Sequence, residues 1–353
     1  MTPRERIEAA LLGGTPDVVP FTVYENKLPV SEPERRLRND GLGILMRTSA
    51  FRTVYHEVTI QQLHYAGSDG RASVRTEVHT PVGNLTALDR PAGFTSWHEE
   101  RLFRSPADYE PLEAMIRDRT YEPTYEKVAQ LQDLLGGDGQ VRVAIGYSPL
   151  QEIIYSLMGL EVFAMEWADN RERVMRLYDA LTEDRRKVYP IVAQSPALTA
   201  NYGGNVTPEV VGVDRFERLI LPHYDEAAEV MHQHGRLLGV HFDANTRPLA
   251  PGIARSKIDY VEAFTPVPTC DMTVAEARAA WPDKALWINF PSSVHLQSIA
   301  DIEDMTRQIL REAAPGHRFL IGITEDVPEG RWRENFGAIL RIVNKHGRVP
   351  IAG

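Results

Sequence analysis

One cysteine, Cys270, stands in 353 residues. An intramolecular disulfide is therefore excluded, and a cytoplasmic, reducing compartment is expected. Long apolar runs are missing too. No window of about 18 apolar residues exists, so no helical membrane span is expected. Positive charge is in deficit, with 39 Lys and Arg against 49 Asp and Glu and a net charge of −10. That balance disfavours nucleic acid or an anionic lipid surface as a partner. The most basic stretch, Glu34-Arg35-Arg36-Leu37-Arg38, is short and mixed in sign. No internal repeat and no strong linker is visible.

What is present is the composition of a globular protein, 43% hydrophobic and 25% charged. The opening "MTPRERIEAALLGG" carries Glu5 and Glu8 and has no apolar core of the length a signal peptide needs. It reads as a helix. Thr2 is placed to be its N-cap, Pro3 its first residue, Glu5 the closing member of a capping box, and Gly13-Gly14 its stop.

From about residue 141 onward, short β-rich runs alternate with helical ones. "VRVAIGYS", "LTANYGGN", "RLLGVHFDAN", "DYVEAF", "ALWINF" and "RFLIGITED" are each followed by a segment of helical periodicity. Alternation of this kind predicts βα units on a parallel sheet. "VVPFTVYE" reads as the first strand of the same sheet. Between them, residues 56–103 hold Gly-Ser-Asp-Gly and Pro-Val-Gly-Asn turn signals among alternating runs, which predict an antiparallel meander. The expected fold class is α/β, a (β/α)8 TIM barrel with that meander inserted near the start, the whole of 1–353 forming one elaborated domain.

Polar residues gather where these strands end: Tyr24 and Glu25, Tyr147 and Ser148, Asn205, then His241, Asp243 and Asn245, then Asn289, and last Thr324, Glu325 and Asp326. Glu262 lies inside "DYVEAF". In a βα barrel the C-terminal strand ends converge on one face, where active sites are built. His241 and Asp243 are two residues apart, which on a strand puts both side chains on one face. Such a pair could be purely structural, with Asp243 capping a helix. It could also bind a metal or act in catalysis. Glu262 has two readings, because a buried carboxylate needs a partner: an ion pair with an arginine such as Arg247, or a metal ligand. Asn205, Asn289 and Tyr147 are candidates for positioning a substrate, with helix capping as the other reading of the two asparagines. Cys270, in "TPVPTCD", reads as a spare loop thiol before a thiolate ligand. His232 and His234 sit near a helix end, away from the strand-end face, and read as surface residues.

At this point a resemblance enters. "TPRERIEAALLGGTPDVVP", "GYSPLQEIIYSLMGLEVFAMEWADNRERVMRLYDAL" and "RFERLILPHYDEAAEVMHQHGRLLGVHFDAN" resemble segments of the uroporphyrinogen decarboxylase superfamily. The similarity runs over nearly the whole chain and is weakest in the meander. It implies a βα barrel. The decarboxylase branch carries an Arg-Gln-Ala-Gly-Arg stretch. Here "YENKLPVSEPERRLRN" stands in its place, which speaks against a tetrapyrrole substrate. The other branch consists of methyltransferases that work with a corrinoid protein and hold zinc by a His-x-Cys pair and a late cysteine. His241-Phe242-Asp243 falls on the first position and Glu325 near the second, so carboxylates stand where the family has thiolates. The resemblance implies zinc on His241, Asp243 and Glu325, a set of hard donors suited to a substrate oxygen or nitrogen.

The expected function is methyl transfer between a small metabolite and a corrinoid carried on a separate protein. Glu262, Tyr147, Asn205 and Asn289 form the expected catalytic group; Tyr24, Glu25 and Arg247 are expected to bind substrate. The alternative is a lyase or decarboxylase of a small carboxylic acid, with His241 or Glu262 moving protons and Arg247 holding the carboxylate. A non-catalytic binding protein on the same fold is a third class. A second copy of the chain remains open as a partner.

Overall fold

The computed structural model describes residues 1–67, 69–93, 95–204 and 206–352. The residue contacts divide into two compact units. The first comprises residues 1–50, 124–146 and 192–353; the second comprises 51–123 and 147–191.

The first unit is a closed parallel barrel. In chain order its strands are β1 (Phe21–Tyr24) and β2 (Leu42–Thr48), then, after the six strands β3 to β8 of the second unit, β9 (Gly139–Gly146), β10 (Thr199–Tyr202), β11 (Leu237–His241), β12 (Tyr260–Phe264), β13 (Ala285–Asn289) and β14 (Phe319–Ile323). Around the barrel the order is β1, β14, β13, β12, β11, β10, β9, β2, and β1 pairs with β2 to close it. β2 is the one barrel strand that the sequence reading omitted. Its "LGILMRT" is a short apolar run, a pattern that does not by itself separate strand from buried helix.

The opening helix, Pro3–Leu11, forms as its caps require: Thr2 and Glu5 close the capping box and Pro3 stands in the first turn. Its buried face, Ile7, Ala10 and Leu11, packs in one cluster with Tyr24, Leu45, Tyr260, Ala285, Trp287 and Leu320. Several of these come from barrel strands, so the helix is anchored on the barrel core by apolar burial.

In the second unit, β4 (Thr59–Ala66), β5 (Ala72–Thr80), β6 (Gly83–Ala92) and β7 (Thr95–Glu100) form the expected antiparallel meander. A separate two-stranded ribbon pairs β3 (Phe51–Val54) with β8 (Thr120–Pro123). Buried charges there are matched: Arg119 lies 2.9 Å from Glu152 and 3.2 Å from Asp184, and the Tyr121 hydroxyl donates to Asp184 at 2.7 Å. Among the described residues no helix is long and apolar enough to cross a membrane.

Candidate active site

The most charged interior point of the barrel is Glu262, which has no accessible surface. β11 and β12 run parallel with His241 level with Glu262. The His241 Nδ1 and the Glu262 Oε2 are 2.6 Å apart. The Tyr24 hydroxyl, from the end of β1, donates to Glu262 Oε1 at 2.5 Å. Arg142, from β9, brings Nη1 to 2.8 Å from the same oxygen and donates through Nη2 to the Tyr24 hydroxyl at 3.2 Å. Asn201, on β10, donates through Nδ2 to Glu262 Oε2 at 3.5 Å, while its own Oδ1 is buried without a partner among the described residues. Four barrel strands besides β12 thus converge on one carboxylate.

Two irregularities aim these groups. The β9–β10 register shifts between Asn201 and Tyr202, and the β12–β13 register shifts between Glu262 and Phe264. At the second shift Ala263 takes φ 59°, a left-handed conformation that a residue with a Cβ adopts at a cost. Bulges re-aim side chains at strand ends and are frequent beside active sites.

The charge states follow from the partners. Burial alone would push the Glu262 carboxyl up, but Arg142 and then His241 outweigh it and hold the group well below the usual carboxylate range. Burial likewise opposes the charge on Arg142, and Glu262 more than restores it. Burial, then the neighbouring Glu262, pushes the Tyr24 phenol far up, so it stays a neutral donor. His241 is disfavoured as a cation by burial, yet Glu262 and Asp243 raise it to about 10. At neutral pH the ring is an imidazolium held between two carboxylates, with Nε2 3.3 Å from Asp243 Oδ2.

Glu325 follows β14. It is half-buried, and among the described residues its carboxylate makes no hydrogen bond or ion pair. Burial and then Asp243 push its pKa up, with Lys27 and His241 opposing. Asn289 is buried, but its amide is engaged: Oδ1 accepts from the Thr324 N–H at 2.9 Å and Nδ2 donates to Thr265 at 3.3 Å. Its place is therefore to hold the backbone that leads to Glu325. Cys270 donates its thiol to the Asp243 carbonyl at 3.5 Å, and burial followed by Asp271, Asp243 and Glu209 pushes it up to about 11. That fits a spare thiol.

The other expected residues have the following partners. Glu262 is paired with Arg142 and not with Arg247. Arg247 is exposed and bonds Glu276 at 3.0 Å and the Asp271 carbonyl at 2.6 Å. Glu25 forms an ion pair with Arg47 at 3.0 Å, and the Arg47 guanidinium stacks 3.8 Å over the Tyr24 ring. Tyr147 follows β9 in the chain but belongs to the second unit. Asn205 lies outside the described residues. His232 is bonded to Asp259 at 2.9 Å near the end of its helix, in keeping with a surface role.

For zinc, the expected donors are two-thirds assembled: His241 and Asp243 face each other. Among the described residues no three His, Cys, Asp or Glu side chains group as ligands of one metal ion. As arranged, both ring nitrogens of His241 are engaged, Nε2 by Asp243 and Nδ1 by Glu262.

Arg142 and Asn201 were not anticipated. A signal for Arg142 exists in "VRVAIG", where one arginine interrupts an apolar strand just as Glu262 interrupts "DYVEAF". Two unmatched opposite charges inside buried strands of one barrel call for each other.

No family model and no curated protein sequence matches the chain. Among solved structures, a methyltransferase from Methanosarcina mazei aligns over 98% of this chain and 99% of its own, with TM-score 0.59 and 12% identity. That likeness is one of fold. A sugar phosphate isomerase/epimerase from Parabacteroides distasonis aligns over 94% of each chain with TM-score 0.38 and 10% identity.

Proposed function

We propose that this chain is a methyltransferase that moves a methyl group between a small metabolite and a corrinoid held by a separate protein. The observation that supports this most is the doubly held imidazolium of His241, at the end of a barrel strand, in a fold that the Methanosarcina mazei methyltransferase shares over the full length of both chains. The C-terminal strand ends are where such barrels carry their chemistry.

When docked, the corrinoid supplies the methyl acceptor or donor. The chain's own residues then handle the proton. Demethylating an oxygen or nitrogen leaves an electron pair on that heteroatom, and a proton there makes it a better leaving group. His241 Nε2 carries such a proton beside Asp243, and Glu262 fixes the ring from Nδ1. Arg142 and Tyr24 keep Glu262 ionised and immobile, so the imidazolium is regenerated in one orientation. In the zinc variant of this proposal, His241, Asp243 and Glu325 would be the donors, and the metal would take the place of the proton on His241 Nε2, so the two roles exclude each other. The lyase alternative needs Arg247 to hold a carboxylate, and that guanidinium is committed to Glu276.

The test is a methyl-transfer assay. Cob(I)alamin is mixed with the protein and a panel of small O-, N- and S-methyl donors, and formation of methylcobalamin is followed by absorbance. Transfer by the native chain and its loss in His241→Ala is the expected result. No transfer from any donor class, in a sample shown to be folded, refutes the proposal. Metal content of the protein purified without added zinc decides the zinc variant.

A further inference from the structure

A second site lies wholly inside the second unit. A cleft of about 410 Å³ is lined by Thr76, Asp89, His98, Glu100, Arg101, Tyr147 and Tyr155, among others. Its size is within the range of small-molecule pockets. Its charges are almost all matched. His98 Nδ1 and Asp89 Oδ1 are 2.5 Å apart, on facing positions of β6 and β7. Glu100 is taken by Arg104 at 3.2 Å.

Arg101 is the exception. It makes no ion pair among the described residues, and its one hydrogen bond is from Nη1 to the Tyr155 carbonyl. The guanidinium is half-buried, and burial lowers its pKa, with Asp89 and Tyr147 too weak in their opposition to reverse the direction. A desolvated cation without a carboxylate is costly. Beside it, the rings of Tyr147 and Tyr155 pack with centroids 5.8 Å apart.

We propose that this cleft binds a small organic anion, a carboxylate or phosphate carried on a planar apolar group, with Arg101 holding the anion and the Tyr147–Tyr155 pair flanking the plane. An arginine fork matches both anions with two parallel N–H donors, which lysine cannot supply. One bond to a carbonyl leaves most of its five donors for that purpose. The competing reading is that Arg101 only ties down the Tyr155 carbonyl, in the π-helical turn Glu152–Met158.

The experiment uses the full chain and titrates benzoate, phenyl phosphate and neutral benzyl alcohol by calorimetry. The expected result is saturable binding of at least one anion and none of the alcohol. The comparison of benzoate with phenyl phosphate assigns the anion. Arg101→Met should weaken binding by about tenfold or more, and Arg101→Lys should weaken it by less, since charge is kept and the fork is lost. Both variants are checked for native circular dichroism and thermal midpoint. Equal binding by folded Arg101→Met, or no binding of either anion by the native chain, overturns the proposal. A variant that loses thermal stability while binding as tightly as the native chain shows that Arg101 is an anchor only. His241→Ala serves as a control and should bind the probes normally.

Discussion

Arg142 Nη1 and Glu262 Oε1 lie 2.8 Å apart in the barrel, with side chains 5% and 0% exposed. Neither charge could remain there alone. The pair also explains why a carboxylate can sit beneath His241 without taking up its proton.

Breaking that pair should be expensive, and breaking it twice should not be twice as expensive. Removing one partner of a buried pair commonly costs about 3–5 kcal/mol, because the other charge is stranded. Glu262→Gln and Arg142→Met should each fall in that range by urea denaturation. The double variant should recover about 1–3 kcal/mol against the sum of the two. Additive costs would show that the two side chains are not coupled.

His241 should make stability depend on pH in one direction. Its folded value, about 10, is raised above the ordinary histidine value of about 6.5. The folded state therefore holds the proton more tightly, and the stabilisation is complete below about pH 6.5 and is lost as pH climbs through 10. The urea midpoint of the native chain minus that of His241→Gln should shrink steadily across that window. A constant difference would mean that the imidazolium is not what Glu262 and Asp243 stabilise.

Cys270 should be slow to alkylate. A thiol pushed up to about 11 presents little thiolate at pH 8. Iodoacetamide should modify it roughly 100-fold more slowly than a free cysteine. Cys270→Ser should leave methyl transfer unchanged within about twofold, because the thiol donates to a backbone carbonyl and touches no proton-carrying group. Rapid labelling in the folded state would place the sulfur in a different environment.

Ala263 should tolerate glycine and refuse valine. At φ 59° a β-branched side chain is strained, and Ala263 is fully buried. Ala263→Val should cost about 1–3 kcal/mol and lower activity with it, because Glu262 is the adjacent residue. Ala263→Gly should change stability by less than about 1 kcal/mol. Comparable losses in both would point to packing and not to backbone conformation.

Much of this was legible in the sequence where local chemistry decides structure. The capping box of Thr2 and Glu5 specified the first helix. The His241–Asp243 spacing put both on one face, and the structure brings them together at 3.3 Å. Partners far apart in the chain were not legible. Glu262 has two readings in the sequence, an ion pair with an arginine such as Arg247, 15 positions away, or a metal ligand; Arg142 was not considered, because the sequence does not say which barrel strands face each other. Tyr24 was placed near the pocket, yet its bond to Glu262 depends on the closure of the barrel. The strand β2 was missed because a short unbroken apolar run carries no period.

That closure has a consequence for how the protein is made. β1 pairs on one side with β2 and on the other with β14, and the Thr22 hydroxyl reaches the Ile321 carbonyl at 3.2 Å. Those residues are 299 positions apart. At about 5–20 residues per second on the ribosome, β1 waits roughly 15–60 s before its last neighbour exists. Throughout that interval its β14-facing edge has no native partner, and an unpaired parallel edge is open to the edges of other nascent copies.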